Sequence, residues 1–92
     1  MNKDRRERLD VLLNKLGIAR DNIIELKEEL TELKDEEQEA YDNMPESLQE
    51  TEKGETITDN ADHLGAAADE IEVAETSLDQ AIEEINNARW SE

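Results

Sequence analysis

The feature that most constrains this chain is a seven-residue apolar repeat running unbroken from Leu9 to Leu33. Written as heptads over residues 5 to 44, one core position, a, carries Leu9, Leu16, Ile23, Leu30, Glu37 and Met44. The other, d, carries Arg5, Leu12, Ala19, Leu26, Leu33 and Ala40. A stripe of that period leaves one side of a helix needing cover, so it specifies a long amphipathic helix packed on another. The second half repeats the pattern, with Ile57, Leu64, Ile71, Leu78 and Ile85 at a and Asn60, Ala67, Ala74, Ala81 and Ala88 at d. Alternating a large aliphatic residue with alanine lets two backbones approach closely.

Between the stripes lies Asp42 to Gly54, which holds the one proline of the chain. Pro45 disfavours helical geometry at Met44 and suits the start of a new helix. Ser47 and Glu50 have the spacing of a capping box, and Gly54 is expected to interrupt or bend the chain. The expected fold is all-α: a single domain over residues 1–92, an antiparallel two-helix coiled-coil hairpin. Its first helix covers about residues 3–42, its turn about 43–54 and its second helix about 55–90.

Folding about residue 47 places Leu16 with Leu78, Ile23 with Ile71 and Leu30 with Leu64. It also sets Lys15 near Asp79, Arg20 near Glu75 and Lys27 near Asp69. The expected core seam is Leu9, Leu12, Leu16, Ile23, Leu26, Leu30 and Leu33 against Leu64, Ile71, Leu78 and Ile85. At about 100° per residue, Leu13 flanks this stripe, whereas Val11, Ile18 and Ile24 lie well away from it, as does Val73 on the second helix. A second copy giving a four-helix bundle is the simplest cover for them, and a separate protein is the alternative.

Composition agrees with a thin fold. With 35% hydrophobic and 40% charged residues in 92, and only Tyr41 and Trp90 as aromatics, no thick core is possible. Absence of cysteine removes disulfides, thiolate metal sites and cysteine nucleophiles, and fits a reducing cytoplasm. The charged start is followed by no continuous apolar segment, so neither a secretory signal nor a membrane span is expected.

The net charge of -17 is unevenly spread. Residues 1–34 hold eight acids and eight bases, whereas in residues 35–92 only Lys53 and Arg89 oppose nineteen carboxylates. Such a field repels nucleic acid and anionic membrane and favours a basic protein partner, with Asp69, Glu70 and Glu72 as candidate contacts. Simple solubility explains the same acidity.

Chemistry finds no seat. His63 is the one histidine, and Asp59-Asn-Ala-Asp-His-Leu-Gly65 does not match a calcium loop. Glu28-Glu-Leu-Thr-Glu32 resembles half of the motif of all-helical nucleotide pyrophosphatases. That family's second half, a Glu followed three residues later by Asp, should lie on a facing helix. Glu32 with Asp35 and Glu39 with Asp42 have the spacing but share the first helix. No catalytic residue, metal or other cofactor is therefore expected. Trp90 is the better lead, as an internal cap stacked near Arg5 and Arg8 or as an anchor for a partner.

The stretch Lys34-Asp-Glu-Glu-Gln-Glu-Ala-Tyr-Asp-Asn-Met-Pro-Glu-Ser-Leu-Gln49, followed by Lys53-Gly-Glu, resembles small helical-hairpin proteins of phages and prophages of low-GC Gram-positive bacteria. It covers the turn and its flanks, about a fifth of the chain. The resemblance implies a hairpin fold and a viral setting, hence a host cytoplasm, and carries over no functional residue.

The expected function is a non-catalytic interaction protein that self-associates and binds a host or phage protein through coiled-coil packing and acidic surface. The rival is a nucleic-acid mimic that inhibits a DNA-binding host defence or replication protein. A hairpin of ~40-residue helices is ~60 Å long, so its carboxylates average roughly one per 2 Å, against about one phosphate per 1.7 Å of duplex. Repulsion within the acidic half predicts that the melting temperature at pH 7 rises as sodium chloride goes from low to moderate concentration. A fall would show that ion pairs outweigh repulsion.

Overall fold

A computed structural model describes residues 1–90 of the chain. They form α1 (Lys3–Asp42), α2 (Glu46–Gln49) and α3 (Glu52–Trp90), with α1 packed along α3 in a rod of 69 × 15 × 13 Å. The expected helical hairpin is present. Asn2 starts α1, its side-chain oxygen accepting a hydrogen bond from the Arg5 backbone N–H at 2.8 Å. Asn43 ends it, its N–H donating to the Glu39 carbonyl, and Pro45 prevents continuation.

The turn is tighter than its sequence implies. Pro45 itself caps the single turn of α2, and Ser47 with Glu50 makes no capping box. Gln49 Nε2 donates to the Tyr41 carbonyl at 3.0 Å, tying α2 back to the end of α1. Backbone bonding from Glu55 to Thr51 shows the second long helix already under way, so α3 begins at Glu52, three residues earlier than expected. Gly54 lies inside that helix and is buried. A Cβ there would come within 2.7 Å of the Gln49 carbonyl carbon, so the absence of a side chain is what lets the turn close.

The register also differs from the expected one. Arg20 pairs with Asp79 and Arg89 with Asp10, so the hairpin folds about residues 49 and 50 rather than 47. Both pairs also establish that the two helices are antiparallel.

The seam itself is displaced. The a residues Leu9, Leu16, Ile23 and Leu30 are half-buried, as are Leu64, Ile71, Leu78 and Ile85 opposite. Leu12, Leu26 and Leu33, expected at the seam's second column, are instead 48%, 52% and 50% exposed. Their place is taken by the column four residues after each a, position e. On α1 this is Arg6, Leu13, Arg20, Lys27 and Tyr41, and on α3 Gly54, Ala61, Ala68, Glu75, Ile82 and Arg89, all buried or half-buried, with Lys34 the one exposed member of the α1 column. Ile24 is half-buried too, on the e side of the stripe. Ala61, 2% exposed, is the one fully buried apolar side chain among the described residues, so the core is a line rather than a volume.

Two glycines give opposite expectations. Around Gly17 nothing lies within 4 Å of a built Cβ, so Gly17→Ala should add about 0.5 to 1 kcal/mol of stability through helix propensity. Gly54→Ala should lose about 1 to 3 kcal/mol, because the new methyl meets backbone that has no room to move. Thermal melts of the two variants check both signs.

Candidate interaction surface

The e columns decide what the hairpin shows to solvent. On α1 they supply long cations whose stems can lie along the seam while their heads reach outward. Lys27 Nζ donates to Glu75 Oε2 at 2.8 Å, and Arg20 binds Asp79 through Nε and reaches Glu75 at 3.8 Å. Glu75 is the most enclosed of these groups, its side chain only 18% exposed. At the open end Arg89 of α3 binds Asp10 of α1. Lys34 lies over Gly65, where a side chain would meet its Cε at 3.3 Å. The expected Arg20–Glu75 contact is present, whereas Asp79 meets Arg20 rather than Lys15, and Lys27 meets Glu75 rather than Asp69. The five-residue change in facing positions follows from the shifted turn.

Four of the paired groups, Asp10, Arg20, Lys27 and Arg89, titrate away from their ordinary values, each toward the charged form. The hydrogen bond from Arg89 holds the Asp10 carboxyl below the usual carboxylate range, against opposing desolvation. The bond to Glu75 raises the Lys27 ammonium, and the bond to Asp79 raises the Arg20 guanidinium.

Burying a and e leaves d uncovered. The helices run in opposite directions and face each other, so equal angular offsets from the seam turn to the same side of the rod. Both d columns therefore share one face: Leu12, Leu26 and Leu33 from α1, and Ala67, Ala74, Ala81 and Ala88 from α3. One shallow groove on it is lined by Leu33, Glu36, Glu37, Asn60, His63 and Leu64, with residues from both helices. A second groove, at the open end, takes in Met1, Arg5, Arg8, Leu9 and Leu12. Only Ala67 of the alanine column is half-buried; Ala74, Ala81 and Ala88 are exposed.

The other candidate residues lie elsewhere. Val11 and Ile18, 54% and 57% exposed, occupy the back of α1 roughly 180° from the seam, and Val73, 60% exposed, occupies the back of α3. Asp69, Glu72 and Val73 line a shallow groove with Thr76, Ser77 and Gln80, and Glu70 is exposed beside them. Trp90 is 74% exposed, so it does not cap the hairpin from within. The guanidinium over its ring, 4.5 Å from the centroid, belongs to Arg89 and not to Arg5 or Arg8. Because Arg89 is held by Asp10, the tryptophan is presented rather than buried.

Glu28, Glu29, Glu32, Asp35, Glu39 and Asp42 are all exposed along α1, and His63 is exposed on α3. Among the described residues no three His, Asp or Glu side chains are grouped to hold a metal, and no helix is long and apolar enough to cross a membrane. The sequence held only a weak signal for the second seam column, outranked by the leucines at d: Gly54, Ala61 and Ala68 are small residues at heptad spacing, matched on α1 by a largely basic column. No protein-family model, curated protein or solved structure matches this chain.

The Asp10–Arg89 pair gives a pH expectation. A carboxyl lowered on folding adds stability that is full above its unfolded pKa and is lost as pH falls through its folded one. Arg89→Gln should therefore return the Asp10 titration upward, observable by NMR, and flatten the acid limb of the stability profile. An unmoved Asp10 titration would show that the pair does not persist in solution.

Proposed function

We propose that this chain is a non-catalytic interaction protein, an acidic hairpin that self-associates into a four-helix bundle and presents its charged exterior to a basic protein partner. One observation carries the reading: Leu12, Leu26 and Leu33, three of the six d residues of α1, lie on a face the hairpin does not cover. Three leucines at intervals of fourteen and seven residues on one helix column are a coiled-coil surface awaiting another, and covering them adds apolar burial that a single hairpin lacks. The back of α1, with Val11 and Ile18, and the projecting Trp90 remain outside such a bundle and suit a second protein. The likeness of the turn to hairpins of phages and prophages supports a viral setting and a host-cell partner.

Mimicry of nucleic acid rests on charge alone. Spread over 69 Å, the 27 carboxylates average about one per 2.6 Å, sparser than the ~1.7 Å of duplex phosphates, and ten bases neutralise part of them. Packing is therefore the favoured mode of action.

Sedimentation should show the parent chain self-associated at high micromolar concentration, and Leu26→Asp should be monomeric while keeping its helical circular dichroism. Ile71→Asp, by contrast, should lose the helical signal by placing a carboxylate inside the seam. A monomeric parent would refute self-association. For the outward surface, Asp69→Lys with Glu72→Lys tests the rival: steep loss of binding together with competition by DNA would favour mimicry over packing.

A further inference from the structure

We infer that two copies pair face to face about a two-fold axis parallel to the rod, with both turns at the same end and α1 of each copy lying on α3 of the other. This rests on the self-association proposed above and specifies its geometry.

Size and charge both select that axis. In this arrangement each α1 residue of one copy stands at the height of the α3 residue it already faces within its own chain, a height set by the Asp10–Arg89 and Arg20–Asp79 pairs. Leu12, Leu26 and Leu33 then fall within about one residue of Ala88, Ala74 and Ala67 of the other copy, large side chains against small ones. The alternative two-fold, perpendicular to the rod with turns at opposite ends, stacks leucine column on leucine column and alanine on alanine. The two helix pairs would then need unequal spacings within one rigid hairpin.

Charge points the same way. On α1 the bases Lys15 and Arg20 stand at the heights of Glu84 and Asp79 of α3. The parallel axis brings these heights together between copies, with exposed Lys15 opposite exposed Glu84. Along the same edge Glu36 stands opposite His63, and Glu29 opposite Glu70 is the one unfavourable match. The perpendicular axis would instead stack α3, the helix with eleven carboxylates and two bases, on its own copy.

Ser47, exposed in α2 at the turn, is the site for a test, since the chain has no cysteine of its own. A spin label on Ser47→Cys should give an intermolecular distance of roughly 15 to 30 Å, because neighbouring bundle helices sit about 8 to 10 Å apart. A distance near the 69 Å length of the rod, in a sample that sediments as a dimer, would overturn this geometry and leave self-association standing. A monomer by sedimentation would overturn both. Independently, Ala74→Leu should weaken dimerisation at least about tenfold while leaving the hairpin helical, and adding Leu26→Ala should restore it to within about threefold. A double variant no tighter than Ala74→Leu alone would contradict the leucine-on-alanine contact.

Discussion

Everything in this fold depends on which two of three adjacent columns the hairpin buries. Position a is apolar throughout its central turns, but it has an apolar neighbour on each side: d, with Leu12, Leu26 and Leu33, and e, with Leu13, Ala61, Ala68 and Ile82. Two helices in contact along a seam cover only about two columns apiece. The chain covers a and e. The e columns bring opposite charges together across the interface, and they place small residues near the turn where the backbones converge. Burying a and d instead would have put leucine against alanine within one chain but left Arg20, Lys27 and Glu75 without their partners.

That choice explains the surface. A rod with one fully buried apolar side chain obtains its stability from many half-buried ones, each giving part of the roughly 1.5 to 3 kcal/mol that a fully buried aliphatic contributes. The d face is the remainder, and it is continuous because antiparallel helices turn equal columns to the same side. Gly54 lets the turn close against Gln49, and Arg20 with Asp79 and Arg89 with Asp10 mark the register across the seam.

Much of the architecture was legible in the sequence. The limits of α1 follow from Asn2, from the heptads and from Pro45, and the antiparallel pairing follows from the short connection. The seam's first column was legible too, because Leu9, Leu16, Ile23, Leu30, Leu64, Ile71, Leu78 and Ile85 are apolar without competition. The second column was not, because the leucines at d outrank the mixed e column on hydrophobicity, and the electrostatic preference for e is visible only once the register is known. The closing of the turn was not legible either, because the approach of the Gln49 carbonyl to Gly54 is a contact that no periodicity reports. Trp90 misses Arg5 and Arg8 for another reason: five residues after Ile85, it lies on a side of α3 turned away from the seam.

The central claim is that Ile23 lies in the hairpin's own seam and Leu26 outside it. Chemical denaturation of Ile23→Ala and Leu26→Ala, at concentrations where sedimentation shows a single chain, tests it directly. The account predicts that Ile23→Ala is the more destabilising by at least about 1 kcal/mol, since truncation costs most where the side chain is enclosed. Equal losses, or a larger loss for Leu26→Ala, would contradict it and restore the a–d seam.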